Sequence, residues 1–568
     1  MKVSISWLQE LVKFDLNPQK LADLLSLKSI GVKQITDDFL ELDLTYNRGD
    51  LLSLRGVARE LAAITNSEVT FGDSNHAKYD IPSTPVKIED EKLCPVYCVA
   101  KIENLKVEQS DETWVKKLSD SGIRSVNNIA DVTNLIMLEF GQPMHAFDAK
   151  GVKDETIIVK TAKKGERITT LDGKTRDLKT SDLLIADSLN ALGIAGVMGG
   201  KDSEVNDSTT TILLEAAIFD PVSIRNTSQS QGLSSEASKR FQHGLTKTNL
   251  LQALAAAIKM YEDLGGKLTA INMVGDLKDE VKTVNLNHQR LNDLIGVEIP
   301  REEVESSLKK LGFKLASHSS SGNTDWEVEV PYWRLDINIE EDLVEEVARM
   351  YGYEKIEGRP LEGRVPEKLD QSLQNSIQDL KFKLKEAGLT EVQTYSFYSS
   401  DVLNNFNLNK NDLIRVANPI SSETEYLRDW LIPNLVEVVG RNLRKGSHDV
   451  AIFEIGKVYL KKKSSLPDEK YSLAIALMNG SDNPIQELYK IWQKLKLQLG
   501  KRAEEKVGLP NQEEYHNLFH PTRFISLSAN GKDIGGIAEL HLRIANMFGI
   551  EKRVAVLEID LEGNSNPN

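Results

Sequence analysis

The stretch DVTNLIMLEFGQPMHAFD, residues 131–148, places small polar residues near its start and a histidine near its end. Asn134 stands eleven residues before His145. Taken alone, a histidine in such a setting is more often a structural residue with satisfied hydrogen bonds than a functional one. The blocks that follow it along the chain alter this interpretation.

Three later blocks add a glycine-dense loop, an apolar run that contains one carboxylate, and a polar segment: GVMGG at residues 196–200, TTTILLEAAIF at 209–219 and GLSSEASKRF at 232–241. Burying the carboxylate of Glu215 in such a run is costly unless it accepts hydrogen bonds. Two interpretations are open. Glu215 forms an internal salt bridge, with Arg240 as its partner, or it lines a pocket and accepts a hydrogen bond from a ligand.

A second group of acidic residues lies in YWRLDINIEEDLVEE, residues 332–346. On a helix, Asp342, Glu345 and Glu346 share one face. Carboxylates so close repel one another unless a cation or an arginine lies among them, and oxygen ligands favour magnesium or calcium over zinc. The alternative is an acidic, solvated helix start, which the helix dipole favours.

The bulk composition indicates a soluble, multidomain protein of a reducing cytoplasm. The chain has 568 residues, 40% of them hydrophobic and 27% charged, and two cysteines, Cys94 and Cys98. No apolar stretch approaches the length of a membrane span. The net charge is −15, so any contact with nucleic acid must be local, as at residues 239–247, 441–445 or 461–463. The pairs Cys94/Cys98 and His516/His520 are weak metal signals.

We predict an α+β protein of four units. They are an N-terminal helical and strand domain with an NRGD turn (residues 1–85), a domain of mixed strands and helices (86–275), a helix-turn-helix or winged-like small domain (283–356) and an antiparallel sheet module with flanking helices (367–568).

Local patterns predict several elements within these units. Ser53 or Asp50 caps a helix that begins near residue 54, and residues 170–174 form a hairpin turn. Residues 193–200 form a glycine-rich loop, and residues 373–387 form a long helix. Strands are predicted at 183–186, 392–397, 413–416, 450–459, 471–478, 524–527 and 554–559.

The blocks from Asp131 to Phe241, in this order, resemble the editing domain of the bacterial-type phenylalanyl-tRNA synthetase β subunit. The resemblance implies a pocket that hydrolyses tyrosine wrongly esterified to the phenylalanine tRNA, with Glu215 accepting the hydrogen of the tyrosine phenol. Matched position by position, the residues that line this pocket are Thr133, Asn134, His145, Gly199, Glu215, Ser235 and Ala237.

Two further blocks resemble the same family. PYWRLDINIEEDLVEEVARMYGYEKI, residues 331–356, is similar to a block in which Asp336, Asp342, Glu345 and Glu346 are magnesium ligands near the interface with the catalytic α subunit. Residues 418–456 look like a relative of the class II synthetase core. The loop and arginines that would hold ATP are not evident there, which indicates a catalytically inactive scaffold that packs on the α subunit.

The resemblance implies the β subunit of a cytoplasmic phenylalanine–tRNA ligase, in an α2β2 heterotetramer that uses ATP, bound mainly on the α subunit, and magnesium. The substrate partner is the phenylalanine tRNA, with no membrane and no DNA. The chain departs from the family in three ways. It shows no oligonucleotide-binding barrel before the NRGD turn and no C-terminal anticodon-binding domain, and Tyr46 stands where proline is common.

Two other functions stay open at this point. The chain is a non-catalytic scaffold or RNA-binding subunit with a silent editing pocket, or it is a free-standing hydrolase that needs no partner. A free-standing hydrolase would not need the units predicted at residues 283–356 and 367–568. Their presence therefore disfavours this function.

Overall fold

The fold is described from a computed structural model, which covers residues 1–71, 81–317, 325–360, 362–364, 371–462, 466–479, 483–498, 503–508, 517–529 and 531–561. The chain divides into two compact units, Met1–Leu361 and Glu362–Asn568. Helices and sheets occur in both, which confirms the mixed α+β, multidomain class. Each unit is described by itself.

The first part of the larger unit packs helices against a small sheet in the order β1-β3-β2. The Ser53 side chain accepts the Gly56 N–H at 3.0 Å and caps a helix with an apolar face, so the predicted cap is confirmed. The elements are β1 (Lys2–Ser4), α1 (Ile5–Leu11), α2 (Pro18–Lys28), β2 (Gly31–Ile35), β3 (Phe39–Asp43) and α3 (Leu54–Thr65).

The middle of the unit holds two sheets that share a core. Its elements are β4 (Val86–Ile88), β5 (Val96–Glu103), α4 (Glu112–Asp120), α5 (Asn128–Phe140), β6 (Met144–Asp148), β7 (Ile157–Thr161), β8 (Arg167–Thr169), β9 (Thr175–Asp177), β10 (Leu183–Ala186), β11 (Ala191–Ile194), β12 (Met198–Gly199), β13 (Ile212–Ile218), α6 (Pro221–Ser230), α7 (Glu236–Gln242), α8 (Lys247–Asp263) and β14 (Lys267–Gly275).

One sheet has the order β14-β5-β13-β6 and the other the order β12-β11-β10-β7-β4. Tyr97, Phe147 and Leu213 of the first sheet share a core with Leu184 and Leu192 of the second. The opposite face of the first sheet packs on α5 and α8. The predicted strand at 183–186 and hairpin turn at 170–174 are confirmed. The loop predicted at 193–200 is correct only for residues 195–197, which form the turn of a hairpin, because β11 and β12 pair on either side of it.

The last part of the larger unit is a small sheet, β15-β17-β16, flanked by helices. Its core contains Trp326, Leu291 and Leu343, all buried. The elements are β15 (Lys282–Leu286), α9 (His288–Ile295), α10 (Arg301–Lys310), β16 (Lys314–Ser317), β17 (Trp326–Val330) and α11 (Glu340–Tyr351).

The smaller unit is built on an antiparallel sheet, β22-β23-β27-β26-β25-β24, to which β18 adds in parallel at one edge. A second sheet has the order β19-β21-β20. The elements are α12 (Ser372–Glu386), β18 (Thr390–Glu391), β19 (Phe397–Tyr398), α13 (Ser400–Asn405), β20 (Ile414–Arg415), β21 (Tyr426–Leu427), α14 (Ile432–Arg444), β22 (Val450–Leu460), β23 (Asp468–Met478), α15 (Pro484–Gln498), β24 (Ala503–Val507), β25 (Phe519–Ala529), β26 (Lys532–Leu540), α16 (Leu542–Met547) and β27 (Ala555–Asp560).

Most strands predicted for this unit are confirmed, notably β22, β23, β25 and β27. The strand predicted at 392–397 is wrong, because most of that segment lies between β18 and β19 rather than in a ladder. The predictions missed β24 and β26, the latter interrupted by a glycine pair. Within the described residues, no helix combines the length and apolar character that crossing a membrane would require.

Candidate active site

Strand β13 lies at the centre of the candidate site, because it pairs with β5 on one side and β6 on the other. Glu215 is directly opposite His145 across the β13–β6 pair and opposite Val99 across the β13–β5 pair. All seven residues of β13 are buried. The strand therefore carries one carboxylate into an otherwise apolar layer.

Glu215 is hydrogen-bonded to an uncharged partner. The hydroxyl of Tyr97 donates to Oε2 of Glu215 at 2.7 Å. Burial raises the pKa of Glu215 to about 7, against a smaller lowering effect from this hydrogen bond. The salt bridge to Arg240 does not form, since the Arg240 guanidinium contacts Glu236 at 2.9 Å and the backbone oxygen of Leu52 at 3.1 Å.

His145 is a neutral imidazole held against the backbone of β12. Burial lowers the pKa of His145 to about 4, so the ring is uncharged at pH 7. Its Nε2 atom has no hydrogen-bond partner among the residues that the structure describes. A Cβ at position 199 would lie 2.7 Å from Nε2, so only glycine permits this approach. The ring edge also contacts Phe147, with centroids 4.5 Å apart.

A cavity of about 260 Å³ opens between β6, β13, the β11–β12 hairpin, α5 and the start of α7. The structure brings all of the predicted pocket residues to its wall: Thr133, Asn134, His145, Gly199, Glu215, Ser235 and Ala237. Sequence reasoning missed Met137, Leu171 and Phe241, which supply apolar wall.

The two hydroxyls on the cavity wall are engaged in structural hydrogen bonds. Thr133 Oγ1 donates to the Ala130 oxygen at 2.7 Å. Ser235 Oγ donates to the Val197 oxygen at 2.7 Å and caps α7 by accepting the Ser238 N–H. Neither hydroxyl faces a base as an activated nucleophile would. The cavity combines apolar walls, the Glu215 carboxylate and one neutral imidazole, while its second carboxylate, Glu236, is paired with Lys239 and Arg240. This arrangement suits binding a ligand with a donor group.

The structure places the four carboxylates predicted as magnesium ligands in different surroundings. Asp336 receives two hydrogen bonds from Arg334, both 2.8 Å, and the same guanidinium donates to Glu346 at 2.5 Å. Asp342 accepts two backbone N–H groups just before α11, and Glu345 is exposed whereas Glu346 is buried. Among the described residues, no three His, Cys, Asp or Glu side chains are arranged to hold a metal ion.

Glu346 instead belongs to a buried chain of alternating acids and arginines. Burial acts to raise the pKa of Glu346, but the hydrogen bonds and charges of Arg334 and Arg349 outweigh it and lower the pKa to about 2. Arg349 also donates to Glu60 at 2.8 and 3.0 Å. We call this set the arginine network; in order it contains Asp50, Arg48, Glu60, Arg349, Glu346, Arg334 and Asp336.

The two other metal signals gain no support within the part of the chain that the structure describes. Cys94 and Cys98 are buried and unbonded to each other, and burial raises the pKa of Cys98 to about 12. His516 lies outside the described residues. In the smaller unit, Arg428 is buried and paired with Glu454 at 2.8 Å, so its guanidinium is not presented to a phosphate.

Three family models match the chain: the B3/4 domain over residues 93–266, the tRNA synthetase B5 domain over 284–353, and the phenylalanyl tRNA synthetase beta chain CLM domain over 356–561. The phenylalanine–tRNA ligase β subunit of Staphylococcus haemolyticus is 34% identical over 546 residues, which cover 93% of this chain and 67% of that relative. This chain belongs to the phenylalanine–tRNA ligase β-subunit family. The family prediction made from the sequence is confirmed.

A second member of the family, from Halalkalibacterium halodurans, is 35% identical over 547 residues, which cover 93% of this chain and 66% of the relative. The chain therefore spans about two thirds of the length of these β subunits. A solved N-terminal fragment of the phenylalanyl-tRNA synthetase β subunit from Pyrococcus horikoshii covers 62% of this chain and 99% of itself. It is 19% identical with a TM-score of 0.35, a likeness too small to support any inference.

Proposed function

We propose that this chain is the β subunit of a phenylalanine–tRNA ligase and that its cavity hydrolyses tyrosine wrongly esterified to the phenylalanine tRNA. The observation that carries the editing role is Glu215, a carboxylate on the cavity wall whose protein partner is an uncharged phenol. By contrast, Asp131 is a fully buried carboxylate that serves the fold and uses both of its oxygens, which accept from Ser110, Ser125 and the Val126 N–H.

A second site with an acceptor solves a discrimination problem that a first site cannot. A hydrophobic phenylalanine site rejects tyrosine by only about a hundredfold, because the competitor merely adds a hydroxyl. A site that hydrogen-bonds that hydroxyl discriminates far better, since an analogue without it leaves a buried polar group unpaired. Tyr97 occupies Oε2 of Glu215, which leaves its other oxygen to accept the hydrogen of a tyrosine phenol.

The proposed chemistry is ester hydrolysis by a positioned water. Water attacks the ester carbonyl, the bond to the ribose oxygen breaks, and tyrosine and a free tRNA hydroxyl leave. His145, which lines the cavity, positions this water or the ribose. With its pKa lowered to about 4 by burial, neutral His145 is a weak base, so we assign it positioning rather than proton abstraction.

The same proposal covers the wider assembly and the domain roles. Residues 86–275 form the editing domain, 283–356 a winged-helix-like domain, and 367–568 an inactive class II-like module that packs on the catalytic α subunit in an α2β2 assembly in the cytoplasm. The α subunit mainly binds the ATP. Magnesium supports the joint reaction; its ligation by Asp336, Asp342, Glu345 and Glu346 stays a prediction of the resemblance, since the arginine network engages two of them.

The test is to co-express the chain with an α subunit and to measure charging with phenylalanine and hydrolysis of tyrosyl- and phenylalanyl-tRNA. Glu215→Ala is expected to lower tyrosyl-tRNA hydrolysis at least a hundredfold and to leave charging intact. Glu262→Ala, an exposed carboxylate on α8, serves as the matched control and is expected to behave as the unmodified complex.

Unchanged hydrolysis in Glu215→Ala would reject the editing pocket. An unmodified complex that charges tRNA but hydrolyses no tyrosyl-tRNA would favour the silent scaffold, and hydrolysis by a lone chain that never binds the α subunit would favour the free-standing enzyme.

A further inference from the structure

Tyr46 holds an aromatic ring in solvent at a fixed position. Its side chain is 60% exposed, yet its hydroxyl donates to the backbone oxygen of Gln242 at 3.2 Å. The ring lies 4.6 Å from that of His243, with a tilt of 38° between the planes. A Cβ on Gly49 would lie 2.8 Å from the Cβ of His243, so this glycine permits the turn to approach the histidine. An exposed ring fixed in this way is available to a ligand.

Arg225 adds a positive charge to the same surface. Its guanidinium lies 5.7 Å from the centroid of the Tyr46 ring. No carboxylate pairs with Arg225 among the described residues, and its side chain is exposed. Aromatic rings with neighbouring arginines are the common means by which proteins stack unpaired nucleic-acid bases. We call Tyr46, His243 and Arg225 the Tyr46 platform.

Two carboxylates close to His243 along the chain or through Lys247 are paired with cations. Glu236 is bridged by Lys239 at 2.7 Å and by Arg240 at 2.9 Å. Lys247 pairs with Asp276 at 2.9 Å. Although the whole chain carries a net charge of −15, these pairs reduce the local negative charge that would repel a phosphate backbone.

The platform lies one short helix away from the candidate active site. Ser235 and Ala237, at the start of α7, line the cavity, and His243 follows the end of the same helix. The seven residues of α7 span about 10 Å, which is the length of about three stacked nucleotides at roughly 3.4 Å each. A strand whose 3′ end lies in the cavity and that runs along α7 would therefore reach the platform after about three nucleotides.

We infer that the Tyr46 platform stacks an unpaired base near the 3′ end of a tRNA whose esterified terminus occupies the cavity; this inference rests on the proposed editing function. The ring of Tyr46 supplies the stacking face and Arg225 supplies a phosphate or cation–π contact. The contact is local, as the acidic balance of the chain requires.

The experiment uses the full α–β complex and phenylalanine tRNA with 2-aminopurine at each unpaired 3′ position in turn. Stacking on the platform quenches one of these probes, and Tyr46→Ala is expected to restore its fluorescence. For tyrosyl-tRNA hydrolysis, Tyr46→Ala raises KM about tenfold or more, with a much smaller change in kcat. Arg225→Ala weakens binding and reduces the slope of log affinity against log salt by about one.

Two variants serve as controls. Tyr46→Phe keeps the ring and is expected to retain quenching and KM, whereas Tyr353→Ala removes a tyrosine that is 52% exposed elsewhere and changes neither. Wild-type quenching and KM in Tyr46→Ala would overturn the inference, as would loss of α-subunit binding in place of loss of tRNA affinity. The complex could also show quenching that depends on Tyr46 but no hydrolysis of tyrosyl-tRNA. That result would reject the editing function and still support the contact between Tyr46 and a base.

Discussion

Glu215 and Glu60 are both buried carboxylates, 7% and 4% exposed, but their partners differ in charge. Glu215 meets the Tyr97 phenol and a neutral His145, and burial raises its pKa to about 7. Burial also acts to raise the pKa of Glu60, yet the charges of Arg48 and Arg349 lower it well below its usual range. The arginine partners of Glu60 therefore hold elements together, whereas Glu215 has one oxygen bonded to Tyr97 and keeps the other for a ligand.

The largest difference between the two regions should appear when each glutamate becomes glutamine. Glu60→Gln leaves the buried guanidinium groups of Arg48 and Arg349 undercompensated and is expected to lower the free energy of unfolding by about 3–5 kcal/mol. Chemical denaturation of the purified chain at pH 8 measures this loss. Glu68→Gln, an exposed carboxylate just beyond α3, is the control and should change stability by less than about 0.5 kcal/mol.

The same substitution at Glu215 is expected to act in the opposite direction. A folded-state pKa raised to about 7 contributes stability that is present below the ordinary value of 4.5 and is lost as the pH rises through 7. Glu215→Gln removes this loss and should stabilise the chain by about 1–3 kcal/mol at pH 8, with no gain at pH 4. If both substitutions destabilised the chain equally, the charge of the partners would not explain the difference between Glu215 and Glu60.

A smaller effect is expected from the neutral partner of Glu215. Tyr97→Phe removes the hydrogen bond that lowers the pKa of Glu215, so that pKa should rise by about one unit. Preference for tyrosyl- over phenylalanyl-tRNA hydrolysis, which needs the ionised carboxylate, is lost as the pH falls through this pKa. The pH at which half of this preference is lost is the midpoint. In a pH series of hydrolysis rates, this midpoint should be higher for Tyr97→Phe than for the unmodified chain.

Tyr261→Phe is the matched control for this measurement, because Tyr261 is also buried but donates to the Ile129 oxygen at 2.8 Å. It should leave the midpoint in place. If the midpoint does not move in Tyr97→Phe, Tyr97 does not influence the selectivity. The role proposed for Glu215 would not be affected by that result.

The smallest effect is expected when metal ions are removed from the isolated chain. Because arginines already compensate Asp336 and Glu346, treatment of the isolated chain with EDTA is expected to shift its Tm by less than about one degree. Thermal unfolding with EDTA, and again after magnesium is restored, measures this. A lower Tm with EDTA that recovers specifically with magnesium would show that a cation, not arginine, organises these acids.

Short sequence patterns predicted the elements whose structure depends mainly on residues close together in the chain. Ser53 caps α3 through its own hydroxyl, and residues 183–186 form a strand because an apolar run suits a core position. The loop predicted at 193–200 was too long, because its glycines permit a tight hairpin against His145, which only the tertiary structure reveals. Glycine density indicates freedom of the backbone, and not the absence of a strand.

Long-range partners were the part of the site that residue patterns did not reveal. Tyr97 lies 118 residues before Glu215, in a strand whose alternation gives no sign of a hydrogen bond to it. Glu60 and Arg349 are 289 residues apart, so the role of the NRGD turn in an ion network was not visible in either segment. The resemblance brought the pocket residues together by position, and the structure added the partners that set their charge.

The two thiols of the chain have a practical consequence for experiments on the bound tRNA. Cys94 and Cys98 are both buried, and desolvation raises the pKa of each thiol, so neither presents thiolate to a reagent at neutral pH. The native chain is therefore expected to react very little with maleimides. A single cysteine introduced on an exposed loop would react alone, and a dye placed there could report tRNA arrival in real time without a cysteine-free background having to be built first.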